Sequence, residues 1–313
     1  MPPDQPLVSV LMNCYNGERF LRAAIDSVLA QTYSHWELVF WDNQSSDGSA
    51  AICESYGDAR IRYFHAPEHT ELGAARIAAL REIRGEFVAV LDADDIAHPE
   101  RLARQVAFLQ AHPDVALVGS WARYIDRHGQ AYAEFRPPTD QNELHDCMGW
   151  LHPIVHSSTM YRHALAVKVG GYSKDLIFAS DFGLLLALAR DFRIAMIDAF
   201  LCQLRVLPTS MTRSSKYHVV VAREMLILFQ RAAEVLPLTS TARRLNHRAV
   251  ASIEIMLGVA TLRAGSILEG ARWMSRGLVR DPSVLWVNGR VRRFFGANSG
   301  FLSYSRPASQ NGG

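Results

Sequence analysis

From residue 7 onward the chain switches between two hydrophobic periods. LVSVLMNC (7–14) is a continuous β-branched and apolar run, read as a buried strand, after which Phe20, Leu21, Ala24, Ile25, Val28 and Leu29 recur at helical spacing. WELVFW (36–41) predicts a second strand, closed by the polar loop DNQSSDGS (42–49), and residues 50–56 predict a short helix. IRYF (61–64) reads as a third strand. A helix is expected over 72–83, with Gly85 as its C-cap glycine. FVAVL (87–91) follows as a fourth strand, and Pro99 opens another helix. Alternation of this kind predicts an α/β fold, a mostly parallel sheet flanked by helices. After residue 115 the pattern turns antiparallel, with WARYI and AYAEF flanking DRHG as a hairpin. SSTMY (157–161) reads as a strand, Gly170-Gly171 as a turn, and a helical stretch follows Asp181. From about residue 217 the pattern is helical almost throughout.

Composition narrows the class. With 313 residues, 49% hydrophobic and 20% charged, the chain has the makeup of a folded globular protein and not of a disordered or fibrous one. Cys14, Cys53, Cys147 and Cys202 are scattered without a CxxC pair, which argues against a zinc site or a disulfide scaffold and for a reducing compartment. The N-terminus carries Asp4 and no basic run before its short apolar stretch, so a secretory signal is not expected. No stretch approaches the roughly 20 apolar residues of a membrane span. A cytoplasmic location is the resulting expectation.

Charge divides the chain. Residues 1–200 carry 26 acidic and 17 Lys/Arg side chains, whereas residues 201–313 carry 5 and 16. Three segments are expected: an α/β domain over 1–215, a helical subdomain over 216–302 and a disordered Ser/Pro/Gly/Asn-rich tail over 303–313. Residues 257–282 resemble a single tetratricopeptide-type helix-turn-helix. Trp273, Trp286, Phe294 and Phe295 lie among Arg272, Arg276, Arg280, Arg290, Arg292 and Arg293. Two readings stay open for this half: peripheral contact with an anionic membrane, or a packed helical subdomain with a solvated arginine face.

In parallel sheets ligands collect beyond the carboxyl ends of the strands. Three polar clusters sit at such ends: Asn13-Cys14-Tyr15-Asn16, the 42–49 loop, and Asp92 to Asp95. Asp92 and Asp94 form D-x-D at a strand terminus, where the period of two places their Cα atoms about 7 Å apart on one side. Hard carboxylate oxygens without nearby cysteine suit Mg²⁺ or Mn²⁺, completed by phosphate and water; a solvated turn at a helix N-terminus is the plainer alternative. No G-x-G-x-x-G and no Gly-rich phosphate loop follows the first strand, which disfavours a dehydrogenase and a nucleotidyltransferase. His152 and His156 have helical spacing, but Pro153 argues against a helix there and against zinc.

Taken in series, the stretch VSVLMNCYNGERFLRAAIDSVLAQTYSHWELVFWDNQSSDGSA, then LGAARIAAL, then GEFVAVLDADD, resembles the family 2 glycosyltransferases over about residues 7–212. The resemblance implies a Rossmann-like GT-A fold and an inverting transfer of one sugar from a nucleoside-diphosphate sugar, UDP-linked by preference, to a glycan or lipid-linked acceptor, with Mn²⁺ or Mg²⁺ as cofactor and no nucleic-acid partner. It places Asn13 and Tyr15 on the nucleotide base. Asp42 begins a motif whose second acid is here Asn43, which leaves the base open. Asp92 would bind ribose or metal, Ala93 would sit beside the donor, Asp94 would ligate the metal, and Arg76 would steady the acids or the diphosphate. HPIVHSSTMYRHALAVKVGGYSKDLIFASDFGLLLAL resembles the acceptor block, with Asp181 as general base and His156 and Ser157 at the acceptor edge; relatives often have Glu-Asp where this chain has Ser180-Asp181. Arg205, Ser210 and Thr212 fall where relatives keep a mobile lid, with Leu207 in place of a frequent His. The membrane spans and Q-x-x-R-W motif of processive synthases are absent from the sequence. A lapsed sugar-nucleotide-binding protein is the alternative that Asn43 and Ser180 keep open.

Overall fold

The sheet is built around three strands that are apolar on both faces: β1 (Val8–Cys14), β2 (Trp36–Asp42) and β4 (Phe87–Val90). Every residue of β2 and β4 is buried, as a central parallel sheet covered by helices requires. β3 (Ile61–His65) extends the parallel set, so that β3, β2, β1 and β4 run side by side in one direction. The computed structural model describes residues 5–207, 217–285 and 305–307. The chain divides into two units, one from residues up to 139 with 154–206, the other from 140–153 with 207–306.

In the first unit α1 (Glu18–Leu29) returns from β1 and buries Leu21, Ala24, Ile25 and Val28, the stripe its period foretells. α2 (Ser49–Glu54), α3 (Leu72–Leu80), the short β5 (Ile96–Ala97) and α4 (Arg101–Ala111) follow in order. The expected hairpin forms as β6 (Val115–Ile125) and β7 (Ala131–Phe135), paired antiparallel. β8 (Met160–Arg162) enters antiparallel between β4 and β6, which makes the sheet mixed. Its order is β7-β6-β8-β4-β1-β2-β3. α6 (His163–Lys168) and α7 (Ser180–Asp191) lead to β9 (Arg193–Arg205), which runs parallel to β6 and pairs antiparallel with β5.

Three details depart from the sequence reading. α3 stops at Leu80 with Arg81 at its C-cap, so Gly85 does not cap it. Gly85 instead passes so close to β1 that a methyl group there would lie 2.6 Å from Ser9 N and 2.7 Å from Leu7 O. Its N–H donates to Ser9 Oγ (2.8 Å), which in turn donates to buried Glu37 (2.6 Å). SSTMY is not a continuous strand, because residues 156–158 form a 3₁₀ turn ahead of β8. β9 went unpredicted altogether, as did α5 (Gln141–Met148).

The second unit is helical: α5, α8 (His218–Val235), α9 (Ser240–Arg263) and α10 (Ile267–Arg280). Asp140 caps α5 and Thr239 caps α9. Asn246 ties the unit together from inside, its amide donating to Gly149 O (2.6 Å) and Phe229 O (2.7 Å). The expected helix-turn-helix is the α9–α10 pair, although α9 runs 24 residues and starts well before residue 257. A three-residue strand, β10 (Ser305–Pro307), falls within the tail expected to be disordered. Trp286, Arg290, Arg292, Arg293, Phe294 and Phe295 lie outside the described residues, as do Ser210 and Thr212. Among the described residues no helix is long and apolar enough to cross a membrane.

Candidate functional site

Sheet register brings the three polar clusters together. Cys14 pairs with Asp42, and Leu11 with Val90, so Asn13, Asp42 and Asp92 end three adjacent strands at nearly one level. The loops then interlock. Asn16, in the left-handed region at φ 53°, accepts from Ser46 N (2.8 Å) through its side chain while its own N–H donates to Ser45 Oγ (3.0 Å). Asp47 accepts from the Glu18 N–H (3.0 Å) and Glu18 accepts from the Gly48 N–H (2.7 Å). A methyl group on Gly17 would meet Cys14 Sγ at 2.8 Å, Ala93 Cβ at 3.6 Å and Ser49 Oγ at 4.0 Å, so all three loops meet beside the start of α1.

Protein cations surround the acids unevenly. Arg76, 5% exposed, donates to Ser180 Oγ (3.0 Å) and stands 3.9 Å from both Asp92 Oδ1 and Asp181 Oδ1. His156 Nδ1 is also 3.9 Å from Asp92 Oδ1, and Ser157 Oγ accepts the Asp92 N–H (3.0 Å). Burial alone would push the Asp92 carboxyl up; His156, Arg76 and Ser157 outweigh it and hold the pKa at about 2. Asp95 is fully buried, accepts the Arg205 N–H at 2.7 Å with one oxygen and leaves Oδ2 without a partner. Burial, then the Asp94 and Asp92 charges, raise its pKa well above the usual carboxylate range.

Asp94 lies between them and makes no ion pair among the described residues. Arg205 is spent elsewhere, its guanidinium donating to Asp94 O (2.9 Å) and Asp126 O (2.7 Å), so it pegs the acidic loop and is not a free lid residue. Burial and then the Asp92 charge push the Asp94 carboxyl up to about 6. The hard oxygens of Asp94, with those of Asp92 two residues away, are of the kind that suits Mn²⁺ or Mg²⁺. Among the described residues no three His, Cys, Asp or Glu side chains group into a protein-only metal cage. A site of one or two carboxylates is the kind that phosphate and water complete.

On the far wall, Asp181 stands in the first turn of α7, whose N-cap is Ala179, so neither Asp181 nor Ser180 is a helix cap. Ser180 instead accepts from Arg76, so that one guanidinium links the start of α7 to Asp92. Sequence reasoning named Arg76 and Asp181 separately; their contact spans 105 residues and left no local signal. It missed Tyr172, whose hydroxyl bonds His156 Nε2 at 3.0 Å.

The residues that the sequence resemblance assigns to the nucleotide divide into walls and braces. Tyr15 is 52% exposed and stacks on His69 at 4.2 Å between ring centroids, tilted 40°. Asn13 holds a buried amide nitrogen, Nδ2, without a partner. Asp42 is buried, with Oδ1 accepting Ser45 N and Oδ2 accepting Tyr63 OH, both at 2.8 Å. Asn43 is 6% exposed and clamps the next loop, its amide donating to Thr70 O (2.7 Å) and accepting Thr70 N (3.2 Å). These two residues therefore brace the loops that carry Tyr15 and His69. His69 was not anticipated, since a lone histidine between a strand and a helix gives no periodic signal.

The Glycosyl transferase family 2 model matches residues 9–170. An uncharacterized glycosyltransferase of Methanocaldococcus jannaschii is 32% identical over 209 residues, covering 65% of this chain and 72% of that protein. The Escherichia coli UDP-Glc:alpha-D-GlcNAc-diphosphoundecaprenol beta-1,3-glucosyltransferase is 28% identical over 218 residues, 68% of this chain and 82% of that one. Among solved structures, the mannosyltransferase PcManGT of Pyrobaculum calidifontis, in complex with GDP-Man and Mn²⁺, superposes with a TM-score of 0.60 at 18% identity over 97% of this chain and 85% of its own. That likeness is one of fold, and the fold is GT-A.

Proposed function

The chain belongs to glycosyltransferase family 2, and from that premise we propose a metal-dependent, inverting enzyme that moves one sugar from a nucleoside-diphosphate sugar to a hydroxyl of a glycan or lipid-linked acceptor. The observation that carries this reading is Arg76, which stands 3.9 Å from Asp92 on one wall and 3.9 Å from Asp181 on the other. One buried guanidinium so placed brings the proposed donor-side acid and the proposed acceptor-side acid within reach of one charge.

Tyr15 and His69 offer an aromatic platform for the base, and the free Nδ2 of Asn13 a donor for its carbonyl oxygen. Asp92, ionised at neutral pH, suits the ribose hydroxyls or the metal, with Ala93 leaving room beside it. Asp94 and Asp92 would hold Mn²⁺ or Mg²⁺, which supplies charge neutralisation for the departing diphosphate. Arg76 adds fixed positive charge to the same wall. Asp181 takes the acceptor hydroxyl's proton as its oxygen attacks the anomeric carbon. Attack from the side opposite the leaving diphosphate inverts that carbon. His156 and Ser157 border the acceptor.

A UDP-sugar is the favoured donor, and a lipid-linked acceptor is favoured by analogy with the E. coli relative's name. The reading places the enzyme in the cytoplasm, with the second unit touching an anionic bilayer peripherally. α10 supports that contact: Ile267 and Leu268 are 71% and 78% exposed, on a helix that also presents Arg272 and Arg276.

Transfer from a panel of UDP- and GDP-sugars with Mn²⁺ tests the function. Asp181→Asn should lower kcat by about 10²–10⁴-fold while donor binding survives. Donor binding by the wild type without turnover on any donor and acceptor pair would instead indicate a lapsed sugar-nucleotide-binding protein.

A further inference from the structure

Next to the acids the sheet carries a basic, aromatic face that the proposed reaction does not use. β4 and β6 flank β8, and Ala89 and Val118 both pair with Met160. Three residues further along each strand, Asp92 and Trp121 therefore stand at about one level, two strand spacings or about 10 Å apart. The 3₁₀ turn between them ties both sides: Ser157 Oγ accepts the Asp92 N–H (3.0 Å) and Ser158 Oγ the Ser120 N–H (3.4 Å). Pairing also fixes the side. Leu117 lies opposite Tyr161, whose hydroxyl meets that of Tyr172, and Arg76 lies over the Tyr172 ring at 5.9 Å. The pleat repeats this orientation along β6 at Trp121 and Arg123, because the register shifts past Ser120 place their extra residues on β9. Trp121 and Arg123 thus share the face on which Arg76 stands, at the end of the sheet that holds the acids.

Three strands contribute to this face. Phe200 of β9 pairs with Trp121, their ring centroids 5.5 Å apart, and Glu134 of β7 pairs with Arg123. Trp121 Nε1 donates to Pro137 O (3.2 Å), which fixes the indole. Glu134, 8% exposed, accepts from Arg123 Nε (3.4 Å), Arg136 Nε (3.1 Å) and Arg136 Nη2 (2.5 Å). The same two guanidiniums lie over the Phe200 ring at 4.4 and 4.9 Å. Ring and shared carboxylate together hold both forks in place. One carboxylate offsets one guanidinium, so a positive charge is left over on the half of the chain that is net acidic. Arg123 Nη1 and Nη2 and Arg136 Nη1 make no hydrogen bond among the described residues, and the two side chains are 43% and 42% exposed.

We propose that Arg123 and Arg136 form an acceptor subsite for a diphosphate, so that the acceptor is a sugar carried on a diphosphate and not a neutral glycan. The role as acceptor subsite rests on the proposed function; the anion site itself rests on the two arginines. A carboxylate would fill one fork, whereas the oxygens of a diphosphate span the free N–H groups of both. The distance of two strand spacings between the Trp121 and Asp92 positions leaves space for one sugar between the bound diphosphate and the site of transfer. Trp121 and Phe200 supply apolar ground beside the charges.

Calorimetric titration of the full chain tests this, in chelator so that no cation draws a diphosphate to Asp92 and Asp94. The probes are alkyl diphosphate esters of a set of hexoses and N-acetylhexosamines, the neutral alkyl glycosides of the same sugars, and the corresponding uronic acid glycosides. The best diphosphate should bind the wild type at least about ten-fold more tightly than its neutral counterpart, the worth of one charge-assisted hydrogen bond. Arg123→Gln and Arg136→Gln should each remove roughly ten-fold of that preference, and Arg123→Lys, which keeps the charge without the fork, should remove less. No preference for diphosphate in the wild type, an equal preference for uronides, or a preference undiminished in both Gln variants overturns the proposal. The wild-type comparison decides even where a variant fails to fold. Transfer to the same probes is read separately. A diphosphate preference that depends on the arginines, in a protein that transfers no sugar, would sink the functional reading and leave the anion site standing; transfer to neutral and diphosphate acceptors with equal KM would overturn the subsite and leave the function standing.

Discussion

At the scale of single residues, Asp92 and Asp94 show how neighbours divide the labour of two like acids. Both are pressed upward by burial, but Asp92 has Arg76 and His156 at 3.9 Å, whereas Asp94 makes no ion pair among the described residues and the charge that lowers it is the more distant Arg205. The consequences for stability have opposite signs. Asp92, lowered to about 2, stabilises the fold above the unfolded carboxylate pKa near ~4, and that contribution fades as the pH falls toward 2. Asp94, raised to about 6, binds its proton more tightly in the folded chain, so its ionisation removes stability as the pH rises from ~4 to about 6. In the metal-free protein at pH 7, Asp94→Asn should therefore raise the melting temperature by a few degrees, on the order of 1–2 kcal/mol. The same variant should lose the stabilisation that Mn²⁺ gives the wild type. Thermal melts across pH with and without Mn²⁺ read both effects, and a lowered metal-free melting temperature would contradict the account. The D-x-D itself was plain in the sequence. What the sequence hid was which acid the protein neutralises itself, because Arg76 and His156 arrive from segments 16 and 64 residues away.

At the scale of elements, β1, α1, β2 and β4 were legible because each is buried in the pattern its period dictates. β9 was not. Its thirteen residues, RIAMIDAFLCQLR, mix buried and exposed positions, and its pairing with β6 shifts register three times, so no period of two survives. Gly85 was read for the right residue type and the wrong reason: a cap glycine and a close-approach glycine look identical in a sequence, and β1 beside it decides between them. The difference is measurable. Gly85→Ala drives a methyl group into backbone atoms of Leu7 and Ser9 and should cost about 1–3 kcal/mol by urea unfolding, whereas a residue beyond the end of α3 in open solvent would cost a few tenths. The polar clusters at 13–16 and 42–49 were expected at one edge of the sheet because each follows the carboxyl end of a parallel strand. Their hydrogen bonds, and the role of Asn43 as a clamp on Thr70, needed the fold.

At the scale of the whole molecule, the charge split along the chain meets a division into two units. The acidic half is the sheet with its carboxylate-lined site; the basic half is chiefly helices α8 to α10. The proposed chemistry uses acids of the first. For the second, sedimentation with vesicles rich in anionic lipid should show binding at low salt that declines as salt screens it, and Ile267→Glu with Leu268→Glu should weaken it. Absence of binding at low salt would leave the arginines a solvated helix face. The central claim concerns the first unit: a divalent cation held at Asp94 and Asp92 joins the donor's diphosphate to the protein. Calorimetric titration of UDP and of GDP into the wild type and Asp94→Asn, each with and without Mn²⁺, addresses it most directly. The account predicts that one nucleotide binds the wild type far more tightly with Mn²⁺ and that Asp94→Asn abolishes the difference; equal nucleotide affinity with and without Mn²⁺ in the wild type, or a metal effect undiminished in Asp94→Asn, would contradict it.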